Sequence, residues 1–336
     1  MTQSWVEDGQ KYALVGLDVK FEGTLSLQKL APHLWAFADA KFTVPANWRE
    51  WLGSVRTDEV EDCNLFLLSK LTSAAVDILD AENQALQQRA WTFYVGLLLS
   101  SAFAPAHSPV FITGSRRAGE IDIRQQQDFD SPVPSVVRPS PPVHLPELQQ
   151  AATLGENLES LGTAAIPGGR WRFNRTLKVY TDARTAPEIL DRIHQYCRCL
   201  DGLILPDQGK TKQQFKSKTE LFIGPGHHDL MGELYDVRSA VEHLHEYRYL
   251  ERFDRALRLD LVRKEAIAEH VARNALARVI GEPQLWPHFG NTPALTRFWS
   301  LTPAERQKVW GAPLNPMTAI ADFDPRFIND GELGAR

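Results

Sequence analysis

Six prolines fall within residues 131–146 of this 336-residue chain, and no regular helix or central strand can run through them. Each proline fixes its own φ and removes a backbone donor. A stretch of this kind reads as an extended linker and sets the main boundary of the chain. The length leaves room for two domains. The expected organisation is an α+β domain over residues 1–130, a linker over 131–146, a helical domain over 147–283 and a C-terminal extension over 284–336, mainly α overall.

Before the prolines the pattern is mixed. Residues 12–21 and 34–44 are rich in β-formers with partial alternation and predict strands. Residues 60–104 predict two helices. The second of these runs from Ala81-Glu-Asn-Gln-Ala-Leu into an apolar stretch over residues 91–104. That stretch holds 14 residues, short of the ~20 that a bilayer span needs, so it predicts a buried core helix and no membrane contact. Val110-Phe-Ile-Thr-Gly114 and Ala118-Gly-Glu-Ile-Asp-Ile predict a hairpin. After the prolines the pattern is helical to about residue 280, until Pro283, Pro287 and Pro293 break it into short pieces.

A net charge of −5 argues against a protein that coats nucleic acid in general. The charge is uneven, however. Residues 170–280 hold 20 Lys and Arg against 16 Asp and Glu, so this part is net +4 while the remainder is −9. A mildly basic part on an acidic protein permits RNA contact. The three cysteines, Cys63, Cys197 and Cys199, make no disulfide framework and read as free thiols, in keeping with a reducing cytoplasm. The first residues show no basic segment followed by an apolar one, so no secretory signal is expected.

Within the basic part, Leu234-Tyr-Asp-Val-Arg-Ser-Ala-Val-Glu-His-Leu244 carries an arginine and a histidine with four residues between them. Histidine moves protons near neutral pH, and arginine offers a phosphate a planar fork of donors. The spacing alone says little, because 25 Arg and 10 His among 336 residues produce about one such pair by chance. Leu230, Leu234, Val237, Val241 and Leu244 mark one apolar helix stripe, with Asp229 as its N-cap and Arg238 at its border. On an ideal helix His243 lies roughly 140° around and ~7.5 Å along from Arg238. Convergence of the two therefore needs a distorted helix end, the reach of the long arginine, or a second subunit. The plainer alternative is a surface ion pair between Arg238 and Glu242, with His243 merely exposed.

Tyr235-Asp236-x-Arg238-Ser239-x-x-x-His243 resembles the signature helix of the HEPN superfamily, especially the Apea-like group. The order of segments is similar too: a helix ending in Cys199-Leu-Asp-Gly-Leu-Ile-Leu-Pro206, a short basic helix from Thr211 to Lys218, the Arg/His helix, and a long charged helix over residues 256–280. The likeness covers roughly residues 170–283. It implies a four-helix bundle, usually dimeric, with metal-independent endoribonuclease activity in many members and binding alone in others. It further implies Arg238 and His243 as the catalytic pair, Ser239 as the favoured polar neighbour of the arginine, and Asp201 as an acidic residue that orients Arg238 or simply pairs with it.

With those roles, the ribose 2′-OH would attack the adjacent phosphate, His243 would act as general base or acid, and Arg238 would stabilise the phosphorane. Glu242 and Tyr235 would support the site. Lys212, Lys216 and Lys218, with Lys210, would form a phosphate-binding edge or simply a solvated helix face, and Tyr235 and Tyr247 would stack on bases or pack in the core or at the rim. No cofactor and no metal are expected. His227-His228-Asp229, with His243 and His245, lacks a zinc-like spacing. Arg263 and His270, two turns apart, read as part of a solvated charged face, and Arg138 with His144 falls in the proline segment. The expected partners are RNA, a second copy of the chain, and an antitoxin or other defence-system protein.

Overall fold

The alternation in residues 10–17 places two sets of β1 side chains on opposite faces of a sheet, and both sets are buried. A computed structural model describes residues 5–39, 42–137, 139–163, 169–243 and 254–328. An N-terminal antiparallel sheet is followed by a helical region. The chain divides into two compact units, Met1–Pro132 with Ser140–Thr163, and Val133–Pro139 with Ala164–Arg336.

In the first unit, β1 (Gln10–Leu17) lies between β4 (Leu65–Thr72) and β5 (Val110–Arg117). β3 (Leu34–Ala38) continues outward from β4 to β2 (Gln28–Ala31), while β6 (Glu120–Ile121) and β7 (Gln125–Asp128) pair with β5. Tyr12, Leu14, Phe66, Leu68, Val110 and Ile112 form one core with Trp48 and Val60 of α1 (Ala46–Glu61), which is broken at Gly53. The opposite face meets α2 (Ala81–Ser100). There the buried Lys11 sends its ammonium to Asp80 at 2.8 Å and Glu82 at 3.0 Å, at the start of α2.

Three expectations for this region change. Residues 60–104 do not form two helices, because Leu65–Thr72 is the strand β4. Its run Leu-Phe-Leu-Leu is buried on both sides of the sheet, and such a continuous apolar run carries neither period. The hairpin turns at Ala118-Gly119, both at positive φ as a two-residue turn requires, while Gly114 stays inside β5. Residues 147–163 do not open the helical domain. α3 (Leu145–Thr163) packs on α2 instead, and a Cβ on Gly96 would come within 2.2 Å of the Ala151 carbonyl oxygen.

The proline segment is not a free linker. The Val143 N–H donates to the Lys20 carbonyl and the Val143 carbonyl accepts from the Glu22 N–H, both in the first unit. The Val133 N–H donates to the carbonyl of Arg184 in the second.

In the second unit, α5 (Ile189–Ile204) packs on α4 (Trp171–Thr185), α7 (His228–Glu242) and α8 (Arg255–Gly281), and α6 (Thr211–Ile223) packs on α7. α8 is far more buried than a solvated charged helix would be. Glu265 takes the Arg192 guanidinium at 3.0 Å. Glu269 accepts from the Tyr180 hydroxyl at 3.0 Å and pairs with Arg273 at 2.9 Å and Arg184 at 3.5 Å. Burial alone would raise the pKa of Glu269, but Arg273, Arg184 and the Tyr180 hydroxyl overcome it and hold the carboxyl below its ordinary value. Arg263 lies over the Phe323 ring at 4.6 Å, so this part of the helix is not open to solvent as expected.

Residues beyond 284 are part of the same core rather than an extension. The Trp299 indole N–H donates to the Leu203 carbonyl, and the Trp310 ring lies 4.6 Å from that of Phe222. No helix among the described residues is long and apolar enough to cross a membrane.

Candidate functional site on helices α5 and α7

His194, Arg198 and Asp201 stand at i, i+4 and i+7 on α5, so they share one face of that helix. Tyr235, Arg238 and Glu242, at i, i+3 and i+7, likewise share one face of α7. The two faces meet. Arg238 Nη2 lies 3.2 Å from Asp201 Oδ2, and His194 Nε2 lies 3.0 Å from Glu242 Oε2. The Arg238 guanidinium also covers the Tyr235 ring, 5.2 Å from its centre. The expected pairing of Arg238 with Asp201 is therefore present, and Glu242 turns to a histidine on α5.

The pair is poorly hydrated. The side chain of Asp201 is 15% exposed and that of Arg238 20%. Asp201 Oδ1 and Arg238 Nε are buried with no hydrogen-bond partner among the described residues, an arrangement that leaves both partly desolvated without compensation. Burial pushes the Asp201 carboxyl up to about 6. Arg238, Arg198 and Arg172 oppose that rise, and Glu242 adds to it. Arg172 comes from α4, where Thr176 one turn later meets α5 at Gly202; a Cβ there would fall 2.0 Å from the Thr176 hydroxyl oxygen. The site thus gathers three arginines about one buried acid.

His194 is a member that the sequence reading missed. Burial lowers its pKa, Glu242 opposes this, and Arg198 and Arg238 reinforce it. A neutral ring that donates from Nε2 to Glu242 keeps the Nδ1 lone pair, and Nδ1 is buried without a partner among the described residues. The His194-x3-Arg198-x2-Asp201 spacing on a strongly amphipathic segment is the signal that could have found it.

His243 sits at the C-cap of α7 and is exposed; its N–H donates to the Ser239 carbonyl at 3.1 Å. The helix is regular up to Glu242, so no kink turns His243 toward Arg238. Ser239 is half-buried. Helix α7 starts at His228 with His227 as N-cap, so Asp229 is a first-turn residue rather than the expected cap. Gly224 and Gly226, both at positive φ, end α6 and let the next helix begin at once. Val237 and Val241 are only half-buried, and the buried face centres on Met231, Leu234 and Tyr235.

The lysines of α6 do not form one open edge. Lys212 pairs with Asp236 at 2.6 Å, and Lys216 lies 3.9 Å from the fully exposed Asp229. Lys218 donates to the Ile204 and Leu205 carbonyls at 2.9 Å each, which caps the end of α5, and its cation lies over Trp299. Tyr235 is buried, with its hydroxyl 2.6 Å from that of Thr211, so it packs rather than offering a face to bases. Tyr247, His245 and Leu244 lie outside the described residues. His228 pairs with Glu220 at 2.5 Å. Cys197 and Cys199 are both buried, and burial raises both thiols.

Comparison with models of protein families, with curated proteins and with solved structures finds no match to this chain.

Proposed function

We propose that the helical unit is a metal-independent endoribonuclease site of HEPN type, with Arg238 as the phosphate-holding cation and His243 as the proton-transfer group. The observation that carries this reading is the Arg238–Asp201 pair: Asp201 on α5 fixes the guanidinium of Arg238, which stands on α7, the helix that ends at the exposed His243. Arg198 and Arg172 add positive charge around it, which suits a polyanion. A straight helix places His243 roughly 140° around from Arg238. A second copy of the chain is therefore the natural source of the other half of the site, and the half-exposed Val237 and Val241 give α7 an apolar flank for it.

In the reaction, the 2′-OH attacks the neighbouring phosphorus and the 5′-oxygen leaves, giving 2′,3′-cyclic phosphate and 5′-OH ends. His243 takes or gives the proton, and Arg238 meets the charge that builds on the phosphorane oxygens. A prokaryotic defence or toxin–antitoxin setting in the cytoplasm goes with this reading.

The second reading is a module that binds RNA or a partner chain without cleavage. It is favoured by the angular separation of His243 from Arg238 on a helix that is regular up to Glu242. The two readings part on one assay, cleavage of tRNA and labelled single-stranded RNA in EDTA. Cyclic-phosphate ends from the wild type, with at least a hundredfold loss in both Arg238→Ala and His243→Ala, support the nuclease. Binding without cleavage by all three proteins supports the module.

A further inference from the structure

We infer that Asp201 is a built-in competitor for Arg238: the buried carboxylate holds the guanidinium in the empty site, and a bound phosphodiester takes it over while Asp201 takes up a proton from water. This rests on reading the site as one for RNA phosphate.

The geometry favours an exchange rather than a permanent lock. Only Oδ2 of Asp201 reaches Arg238, at 3.2 Å, while Oδ1 is buried with no partner among the described residues. Arg238 in turn leaves Nε unused in the same place. A guanidinium offers five donors and matches a phosphate with two at once, so a phosphodiester can satisfy more of Arg238 than Asp201 does. Around the pair, α7 contributes Glu242, α5 contributes Cys197 and Arg198, and α4 contributes Arg172. Glu242 is occupied by His194. Asp201 is thus the anion that three arginines share, and it is the anion an incoming phosphate displaces.

The two anions differ in what they can give up. A phosphodiester stays charged throughout the physiological range. Asp201 sheds its charge easily, because burial has already brought its carboxyl up to about 6. A phosphate beside it raises that value further through like-charge repulsion. At pH 7 binding therefore draws up to about one proton per site, and below pH 6 the carboxyl is already protonated and little more is drawn. The gap between pH 7 and about 6 makes wild-type affinity roughly tenfold weaker at pH 7 than it is once Asp201 is protonated.

The test is calorimetric titration of the full chain with a 2′-O-methyl RNA hexamer bearing hydroxyl ends, which presents phosphodiesters and cannot be cleaved. Titrations at pH 7 in two buffers of different ionisation enthalpy count the protons. The expected result is uptake approaching one proton per site in the wild type and in His243→Ala, and none in Asp201→Asn, which binds roughly tenfold tighter at pH 7. Binding without proton uptake, or uptake that survives Asp201→Asn or disappears in His243→Ala, overturns the inference and leaves the RNA reading standing. No binding of the hexamer overturns both. Should Asp201→Asn fail to fold, Asp201→Ser takes its place under the same criteria, with His194→Gln beside it because that ring shares the site; uptake that survives Asp201→Ser or disappears in His194→Gln overturns the inference.

Discussion

Asp201 has a cation at 3.2 Å, and yet burial wins: its carboxyl stands near 6 rather than at an ordinary 3.8. A difference of that size corresponds to roughly 3 kcal/mol. The direction of its effect on folding follows from proton counts. Between pH 4 and 6 the folded chain keeps the proton that the unfolded chain has lost, so this residue makes stability fall as pH rises across that window, and its full cost stands above pH 6. Asp201→Asn removes the titration, so urea midpoints taken from pH 4 to 7 should lose this downward component relative to the wild type. An unchanged pH dependence would mean that the carboxyl ionises normally. Arg238 was legible in the sequence because an arginine bordering an apolar stripe declares a position along one helix, and Asp201 was named only through the family resemblance. His194 was not legible, because its role comes from Glu242 on another helix, and sequence spacing does not report which two faces meet.

At the scale of elements, periodicity succeeded where one face was buried and failed where two were. α5 and α8 were legible as helices, whereas Leu65–Thr72, enclosed on both sides of the sheet, carried no clean period, and the burial of the charged α8 and the short helices of the tail were not foreseen. The lysines of α6 looked like one basic edge, but Lys218 is spent on the carbonyls that end α5. The pairing of α2 with α3 was hidden for another reason: it depends on small residues at a crossing. A Cβ on Gly96 would stand 2.2 Å from the Ala151 carbonyl oxygen, and one on Gly155, less tightly, 3.1 Å from the Phe93 backbone. Backbone atoms cannot swing aside as a flexible side chain can. Gly96→Val should therefore lower the unfolding free energy by about 1–3 kcal/mol or more, read from urea denaturation, despite the helix propensity it gains over glycine. A neutral or stabilising result would show that the two helices do not approach so closely.

At the scale of the whole molecule, the proline segment marks a boundary in sequence that the chain does not respect in space. The chain passes from the first unit to the second at residue 133, returns at 140, and leaves again after α3 at 164. α3 belongs to the sheet because its apolar face, with Leu148, Ala151, Ala152, Leu154 and Leu158, is buried there against α2. A fragment cut where the sequence suggested, residues 147–336, would carry that face without its cover. A fragment of residues 169–336 would drop α3 and keep α4 to α8 with the segments that pack on them, giving up the Val133 N–H bond to Arg184. An uncovered apolar face of this length drives association. Size-exclusion chromatography of the two fragments should therefore give large aggregates or insoluble material for 147–336 and a defined species for 169–336. Urea denaturation of the shorter one should then show a single cooperative transition, because the ion pairs of Glu265 and Glu269 and the core of α5 lie wholly within it. Equal solubility of both fragments would mean that α3 closes its apolar face without α2, and the division of the chain after residue 163 would then be wrong.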